Sequence, residues 1–314
     1  MKKTIKLFMA LGITTGMLFS SCKKSDDINT TDYSTELSAH ADDQSRLSED
    51  VDLLANDGFT LAEDNIAFSG RNGIGGTTAN LLCNGVAVLD SAAGIKTLTV
   101  TYNGLNCMGN RRLEGVVAYS MPIGARWRDA GAVLTINIQQ LRVTRIRDNR
   151  SVVLNGIQTI TNVSGGLVRN LAGAGTITHE ILSNGLSITF DNGNQRNWQV
   201  AKRRVFTYNN GIVITTTGIH TDGTINNIAE WGTNRFGNPF MTQITQPLVV
   251  RQDCNFRLTS GEVSHQRMAA NALVTFGLDA AGNLTGCPAP GTPYYFKVVW
   301  TGPNGVVRTA IFPY

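Results

Sequence analysis

Beyond residue 65, nine Asn-Gly or Asp-Gly steps punctuate this chain, at 72–73, 84–85, 103–104, 155–156, 184–185, 192–193, 210–211, 222–223 and 304–305. A type I′ turn needs positive φ at both central residues, which asparagine tolerates and glycine takes freely. Such a step between β-branched runs therefore marks a hairpin. The flanking runs fit: LTVTY (98–102), AVLTINIQQLRV (132–143), LSITF (186–190), IVITTTGI (212–219) and YFKVVW (295–300). In the second, Leu134, Ile136 and Ile138 alternate with Thr135, Asn137 and Gln139, giving one apolar and one polar face. Only eight prolines occur in the chain. The pattern predicts about sixteen short strands over residues 65–314: an all-β fold, either a large antiparallel meander or sandwich, or an open barrel-like sheet.

The first 64 residues read differently. Met1–Lys6 carries three lysines, an apolar run follows from Leu7 to Phe19, and Ser20 and Ser21 precede Cys22. A charged start, a short apolar run and small residues before a cleavage point predict a secretory signal peptide over 1–21, too short to span a bilayer. The cysteine at the cut resembles a lipobox, which implies that Cys22 is acylated. Phe19 and Ser20 stand where leucine and a small residue are more usual. Acyl chains anchor at about 0.8 kcal/mol per buried methylene. Lys23-Lys24-Ser25-Asp26-Asp27 resembles the acidic export signal of Bacteroidota surface lipoproteins. The expected location is thus the cell outer membrane, lipid-anchored and surface-exposed, with the membrane as one partner.

Residues 22–64 are expected to form an acidic tether and a short helix. Leu47, Val51 and Leu54 fall at helical spacing between about Thr35 and Asn56, with Ser48 as a plausible N-cap and Asp57-Gly58 as a stop. From Asp26 to Asp64 twelve acids face one base, Arg46; from Asn65 to Tyr314 eleven acids face 21 bases, 18 of them arginine. Aspartates cannot be buried unpaired, so the helix is either solvated or laid against basic surface. In the second case the acidic segment would shield a basic face that otherwise favours anionic partners.

Four cysteines remain, Cys83, Cys107, Cys254 and Cys287. An even number in an exported chain reads as disulfides. Three connectivities are possible, and the local pairs Cys83–Cys107 and Cys254–Cys287, each bracketing a strand-rich segment, are the expected ones. No Cys-x-x-Cys occurs and no cysteine has a histidine at ligand spacing, so no metal site and no cofactor are expected.

The second half is similar to a family of Bacteroidota outer-membrane and surface lipoproteins to which no reaction is assigned. The likeness rests on Trp198 with RRVFTYNNGIVITTTG, EWGTNRFGNPF (230–240), ITQPLVVRQDCNF (244–256), FGLDAAGNLTGCP (276–288), and the closing YYFKVVWTGPNG and FPY. The Cys83…Cys107 block and the acidic leader fit the same pattern. The resemblance implies export and a shared β-fold, and it supplies no functional residues.

Tests for chemistry turn up little. No Gly-x-Ser-x-Gly occurs. His40, His179, His220 and His265 are far apart, and His179 and Glu180 in one strand would point to opposite faces. Strand position makes His179 a surface or cross-strand residue. Glycoside hydrolysis needs two carboxyls roughly 5–10 Å apart, and nothing pairs the non-turn glutamates Glu114, Glu180, Glu230 and Glu262. The Gly-rich RNGIGGTT (71–78) lacks the lysine of a phosphate loop. The most distinctive stretch is 230–240. Trp231, Arg235 and Phe236 there are candidate ligand-binding residues, a platform for a sugar ring with a grip on an acidic substituent; the competing reading is a long turn with its aromatics tucked into the core. Arg142, Arg145 and Arg147 form either an anion-contacting patch or a guarded sheet edge. Asp90-Ser91-Ala92 resembles an O-glycosylation sequon, making Ser91 a candidate. The expected function is a non-enzymatic binding or structural role in the cell envelope, with an anionic glycan or lipopolysaccharide as ligand. The alternatives are a polysaccharide-processing enzyme and a scaffold for another outer-membrane protein. A nucleic-acid partner is not expected.

Overall fold

A computed structural model describes residues 34–69, 78–267, 270–289, 291–302 and 305–314. Cys22, the tether over 22–33 and the Gly-rich stretch before Thr78 lie outside them. Helix α1 spans Ser34–Asp64 and the one-turn α2 spans Ile66–Ser69. The first eight strands are β1 (Thr78–Leu82), β2 (Gly85–Ala92), β3 (Ile95–Leu105), β4 (Arg111–Pro122), β5 (Ala132–Arg145), β6 (Arg150–Asn162), β7 (Thr176–Thr189) and β8 (Gln195–Tyr208). The second eight are β9 (Ile212–Gly218), β10 (His220–Asp222), β11 (Ile225–Thr233), β12 (Pro239–Arg251), β13 (Arg257–Arg267), β14 (Ala270–Leu278), β15 (Tyr295–Thr301) and β16 (Val307–Pro313). All belong to one antiparallel sheet, an open meander with β1 and β16 at its edges. No described helix is long and apolar enough to cross a membrane.

Strand number matches the sequence pattern, but several strands are long, β5, β7 and β8 reaching 14 residues each. The reason lies in the Asn-Gly steps. Those at 84–85, 192–193, 210–211 and 222–223 fall at turns between strands, whereas 103–104, 155–156 and 184–185 sit inside β3, β6 and β7. At 155–156 and 184–185 the positive φ makes a bulge instead of a turn, whereas β3 keeps its register through 103–104. Gly156 (φ 120°) faces Gly185, and a Cβ on it would meet the Gly185 carbonyl oxygen at 2.5 Å. Gly115 in β4 likewise abuts Gln140 of β5, itself at φ 51°. The register breaks on neighbouring pairs from β4 to β8, between Glu114 and Val116, Ile138 and Leu141, Asn155 and Ile157, and Leu182 and Leu186. Bulges aligned across successive strands bend a sheet.

What the bend encloses is α1. Ser48 donates to Glu230 of β11, and Asp50, two residues on, accepts from Arg111 of β4. Five strand spacings separate β4 from β11 along the sheet, about 24 Å if flat. One helix reaches both only because the sheet curls around it. Leu47, Leu54, Leu61 and, just past the helix, Phe68 are fully buried in one core with Tyr102, Tyr119, Leu134 and Trp198 of the strands.

Two sequence expectations about this helix change. Ser48 is not an N-cap; it lies mid-helix, and its hydroxyl also accepts from Lys202 Nζ at 3.0 Å. Gly58 does not stop the helix, which continues to Asp64. A Cβ at Gly58 would sit 3.0 Å from the Tyr119 ring and 3.2 Å from Ile136 and Leu134. At this glycine the helix backbone packs directly on the sheet side chains. Of the two placements considered, the helix is laid against basic surface, and it supplies core as well as charge. Stripping it away would remove the packing of the curled half, so it is no detachable shield.

Both disulfides form as local pairs, Cys83–Cys107 and Cys254–Cys287, with Cα atoms 5.3 Å apart in each. The first ties the β1–β2 turn to the turn after β3. The second ties the segment after β12 to the long connection between β14 and β15.

Candidate binding surfaces

The acid-to-base match between helix and sheet is specific, residue by residue. Asp42 accepts two bonds from Arg145 at 2.7 Å, and Asp43 accepts two from Arg235 at 2.6 Å. Asp50 pairs with Arg111 at 2.9 Å, and Asp52 with Lys202 at 3.2 Å and Arg204 at 2.9 Å. Arg46, the one base of the acidic segment, donates to the Val143 and Arg150 carbonyls at 2.8 and 2.9 Å. Glu63 accepts from the backbone N–H groups of Val168 and Arg169.

Burial pulls these groups in opposite senses. It raises Asp43 and Asp50 despite their arginines. At Asp52 burial is outweighed by Arg204 and Lys202, which hold the carboxyl below its ordinary value. Burial alone would lower Lys202, but Asp52 and Glu230 carry it above the ordinary range. Asp57, half-buried and, among the described residues, accepting only from the Tyr102 hydroxyl at 2.9 Å, is pushed up to about 6 by desolvation.

This network settles several sequence candidates. Glu230 is fully buried and accepts from Gln44, Ser48, Trp198 and Lys202, so its carboxylate is saturated by structure. Glu180 pairs with Arg203 at 2.7 Å and Glu262 accepts from Thr245 and Thr275. Glu114 stands opposite Arg142 on the outer face. The reading of Arg142, Arg145 and Arg147 as a sheet edge is overturned: β5 is paired on both sides, by β4 and β6. The anion they contact is the protein's own Asp42, through Arg145 and Arg147. His179 is buried, not surface-exposed, among the rings of Phe59, Trp127 and Phe206. Burial, then Arg204, lowers it to about 3, so it stays neutral. Asp253 lies near Cys254 and Cys287, but those two sulfurs are bonded to each other. Ser91 is exposed at the end of β2.

The three candidates in the 230–240 stretch are dispersed. Only Asn234–Asn238 is turn; Glu230–Thr233 ends β11 and Pro239–Phe240 begins β12. Arg235 points inward, held by Asp43 and by Asp191 at 3.0 Å and lying 5.0 Å over the Phe190 ring. It is not available to grip a ligand. Phe236 is exposed at the turn. Trp231, next to inward-facing Glu230, points to the outer face.

There Trp231 meets a residue the sequence did not connect with it. The sheet column between β8 and β12 is made of two collinear pieces. β9 pairs with the second part of β8 and β11 with the first part. Between them the chain leaves the column after Gly218, doubles back as β10, and pairs on β11. A Cβ at Gly218 would lie 2.1 Å from the Asn227 carbonyl oxygen, so only glycine fits where the excursion returns. The excursion lays His220 flat on Trp231, ring centroids 3.9 Å apart and planes 12° from parallel. Beside the pair is a hollow of about 430 Å³ lined further by Ile157, Thr159, Leu182, Ala201 and Ile219. No Asp, Glu, Lys or Arg lines it among the described residues. The sequence signal for it was the Asp222-Gly223 hairpin, which follows Gly218 too closely for a full strand.

No family model, curated protein or solved structure matches the chain.

Proposed function

We propose that this chain is a lipid-anchored, surface-exposed protein of the outer membrane with a non-enzymatic binding role, and that its ligand is a glycan seated on the Trp231–His220 shelf. The observation that carries the reading is that shelf: a stacked aromatic pair walling an open hollow on the outer face. Sugar rings pack their C–H faces on such rings, and the hollow has the size of a small-ligand site. Its lining holds no Asp, Glu, Lys or Arg among the described residues, which favours an uncharged ring there. Arg235, the residue that favoured an anionic glycan, is engaged inside the fold. The non-enzymatic reading is supported by the engagement of Glu180, Glu230 and Glu262 in ion pairs and hydrogen bonds of the fold, and by a shelf whose lining holds no carboxylate among the described residues. The resemblance of the leader to a lipobox supports the anchor.

A glycan array with the purified protein tests the ligand. Retention of neutral oligosaccharides that is insensitive to salt and falls at least tenfold in Trp231→Ala, roughly the loss of one stacking contact, is the expected result. No retention of any glycan, or unchanged retention in Trp231→Ala, overturns it. Palmitate labelling lost in Cys22→Ser tests the anchor separately.

A further inference from the structure

Three turns ring the N-terminal part of α1. Arg111, which follows the turn at Asn106–Asn110, reaches Glu49 and Asp50; Arg145 and Arg147, flanking Ile146, reach Asp42; Arg235 reaches Asp43. Each turn presents an apolar side chain outward: Met108 is 82% exposed, Ile146 45% and Phe236 47%. Arginines stand among these tips. Arg147 is 71% exposed and Arg150 52%, both near Asp42, while exposed Arg112 has no carboxylate partner among the described residues. Among the described residues, Arg196 beside Phe236 bonds only carbonyl oxygens, of Gln195, Asn234 and Arg235.

We infer that this end of the molecule is a membrane-docking surface, for an anionic lipid bilayer. Isolated apolar tips on tight turns, set in a field of arginine, suit the headgroup boundary: the tips enter the acyl region and guanidinium groups bind phosphate. The direction of the chain points the same way. α1 emerges here towards its N-terminus, and Cys22 stands twelve residues before Ser34. Twelve residues reach at most about 40 Å, so an anchor at Cys22 keeps this end, and not the opposite one, close to the bilayer. The opposite end also exposes Ile123, Phe256 and Leu284, and Arg126 and Arg128 beside Ile123 are exposed without an ion pair among the described residues, so it is the reach of the tether that selects between the two ends. The inference rests on the proposed anchor only for this orientation.

The test therefore uses protein without an acyl chain: the chain from residue 22 onward, carrying Cys22→Ser, which keeps every described residue. It is floated with phosphatidylcholine vesicles and with vesicles containing a quarter phosphatidylglycerol. Binding to the anionic vesicles alone, weakened by salt, is expected. Arg112→Glu and Arg147→Glu should each weaken it about fivefold or more. Met108→Ser with Ile146→Ser and Phe236→Ser should weaken it at least tenfold at unchanged melting temperature, while Leu284→Ser at the opposite end should leave it unchanged. Equal binding to both vesicle types, no binding, or tip variants that bind like the parent overturn the inference. Loss of palmitate labelling, by contrast, bears only on the anchor.

Discussion

The two halves of the sheet solve one problem in different ways. Around α1 the strand side chains are dry: Tyr119, Leu134 and Trp198 are 0% exposed. In β12–β16 the equivalent face carries Val263, Val274 and Val298 at 6–8% exposure, and Leu248, Phe276, Phe296 and Trp300 remain partly buried around them. No helix among the described residues covers this second face. Its rings cover one another instead: Tyr314 stacks on Tyr294 at 5.8 Å and meets Phe276 edge-on at 5.9 Å, and Arg257 lies 4.7 Å over Tyr294. A sheet face needs a second layer to exclude water. Where a helix supplies it, burial is complete; where only side chains do, the layer is thinner, and the Cys254–Cys287 bridge constrains that end covalently.

The largest expected effect separates the halves by one substitution made twice. Leu54→Ala, in the filled half, should cost about 2–5 kcal/mol of unfolding free energy, transfer plus cavity. Leu248→Ala, in the open half, should cost about 1 kcal/mol, since part of that side chain is already in water and no closed cavity is left. Urea unfolding of the two variants measures the difference. Equal losses would break the comparison.

The next effect probes the closest contact of the filled half. Gly58→Val should destabilise by about 1–3 kcal/mol, because its branches would enter space held by Tyr119, Ile136 and Leu134. A neutral result would mean that α1 rides further from the sheet than its hydrogen bonds imply. The position also shows what sequence reading could reach. Strand content and four of the nine Asn-Gly or Asp-Gly turns were legible, because turn chemistry is local. The steps at 155–156 and 184–185 were not: turn and bulge make the same demand for positive φ, and only the neighbouring strands decide between them. Gly58 carried the same ambiguity in a helix. The buried acids were less legible still. Asp43 and Asp50 look like solvent-facing residues until their partners, Arg235 and Arg111, are brought in from distant strands. Arg235 looked like a ligand grip for the same reason. The stacking of His220 on Trp231 depends on an excursion whose hairpin was visible but whose landing place was not.

The smallest effect is a pH signature, and it too compares the halves. His179 in the filled half is lowered to about 3, chiefly by burial, and His265 in the open half to about 4, also by burial. A depressed histidine means that the unfolded chain binds the extra proton first. Its contribution to stability is therefore complete above the unfolded value near 6.5 and is lost as pH falls through that window, at about 1.4 kcal/mol per pH unit for one proton. Asp57 acts oppositely: raised to about 6, it contributes stability below the unfolded carboxylate value that is lost as pH rises towards 6. In the parent the two slopes in the filled half oppose each other between pH 4 and 6. His179→Leu removes one of the two histidine slopes and leaves His265 opposing Asp57, so this variant should run flatter than the parent from pH 4 to 6. His179→Leu combined with His265→Leu should expose the Asp57 slope and lose stability as pH rises. His265→Leu, with no such acid beside it in the open half, should only flatten the acid limb. Stability of these variants and the parent, measured by urea unfolding from pH 4 to 7, decides it. Parallel curves for His179→Leu and the parent would show that His179 takes up its proton at the ordinary value, which its packing against Trp127 and Phe206 forbids.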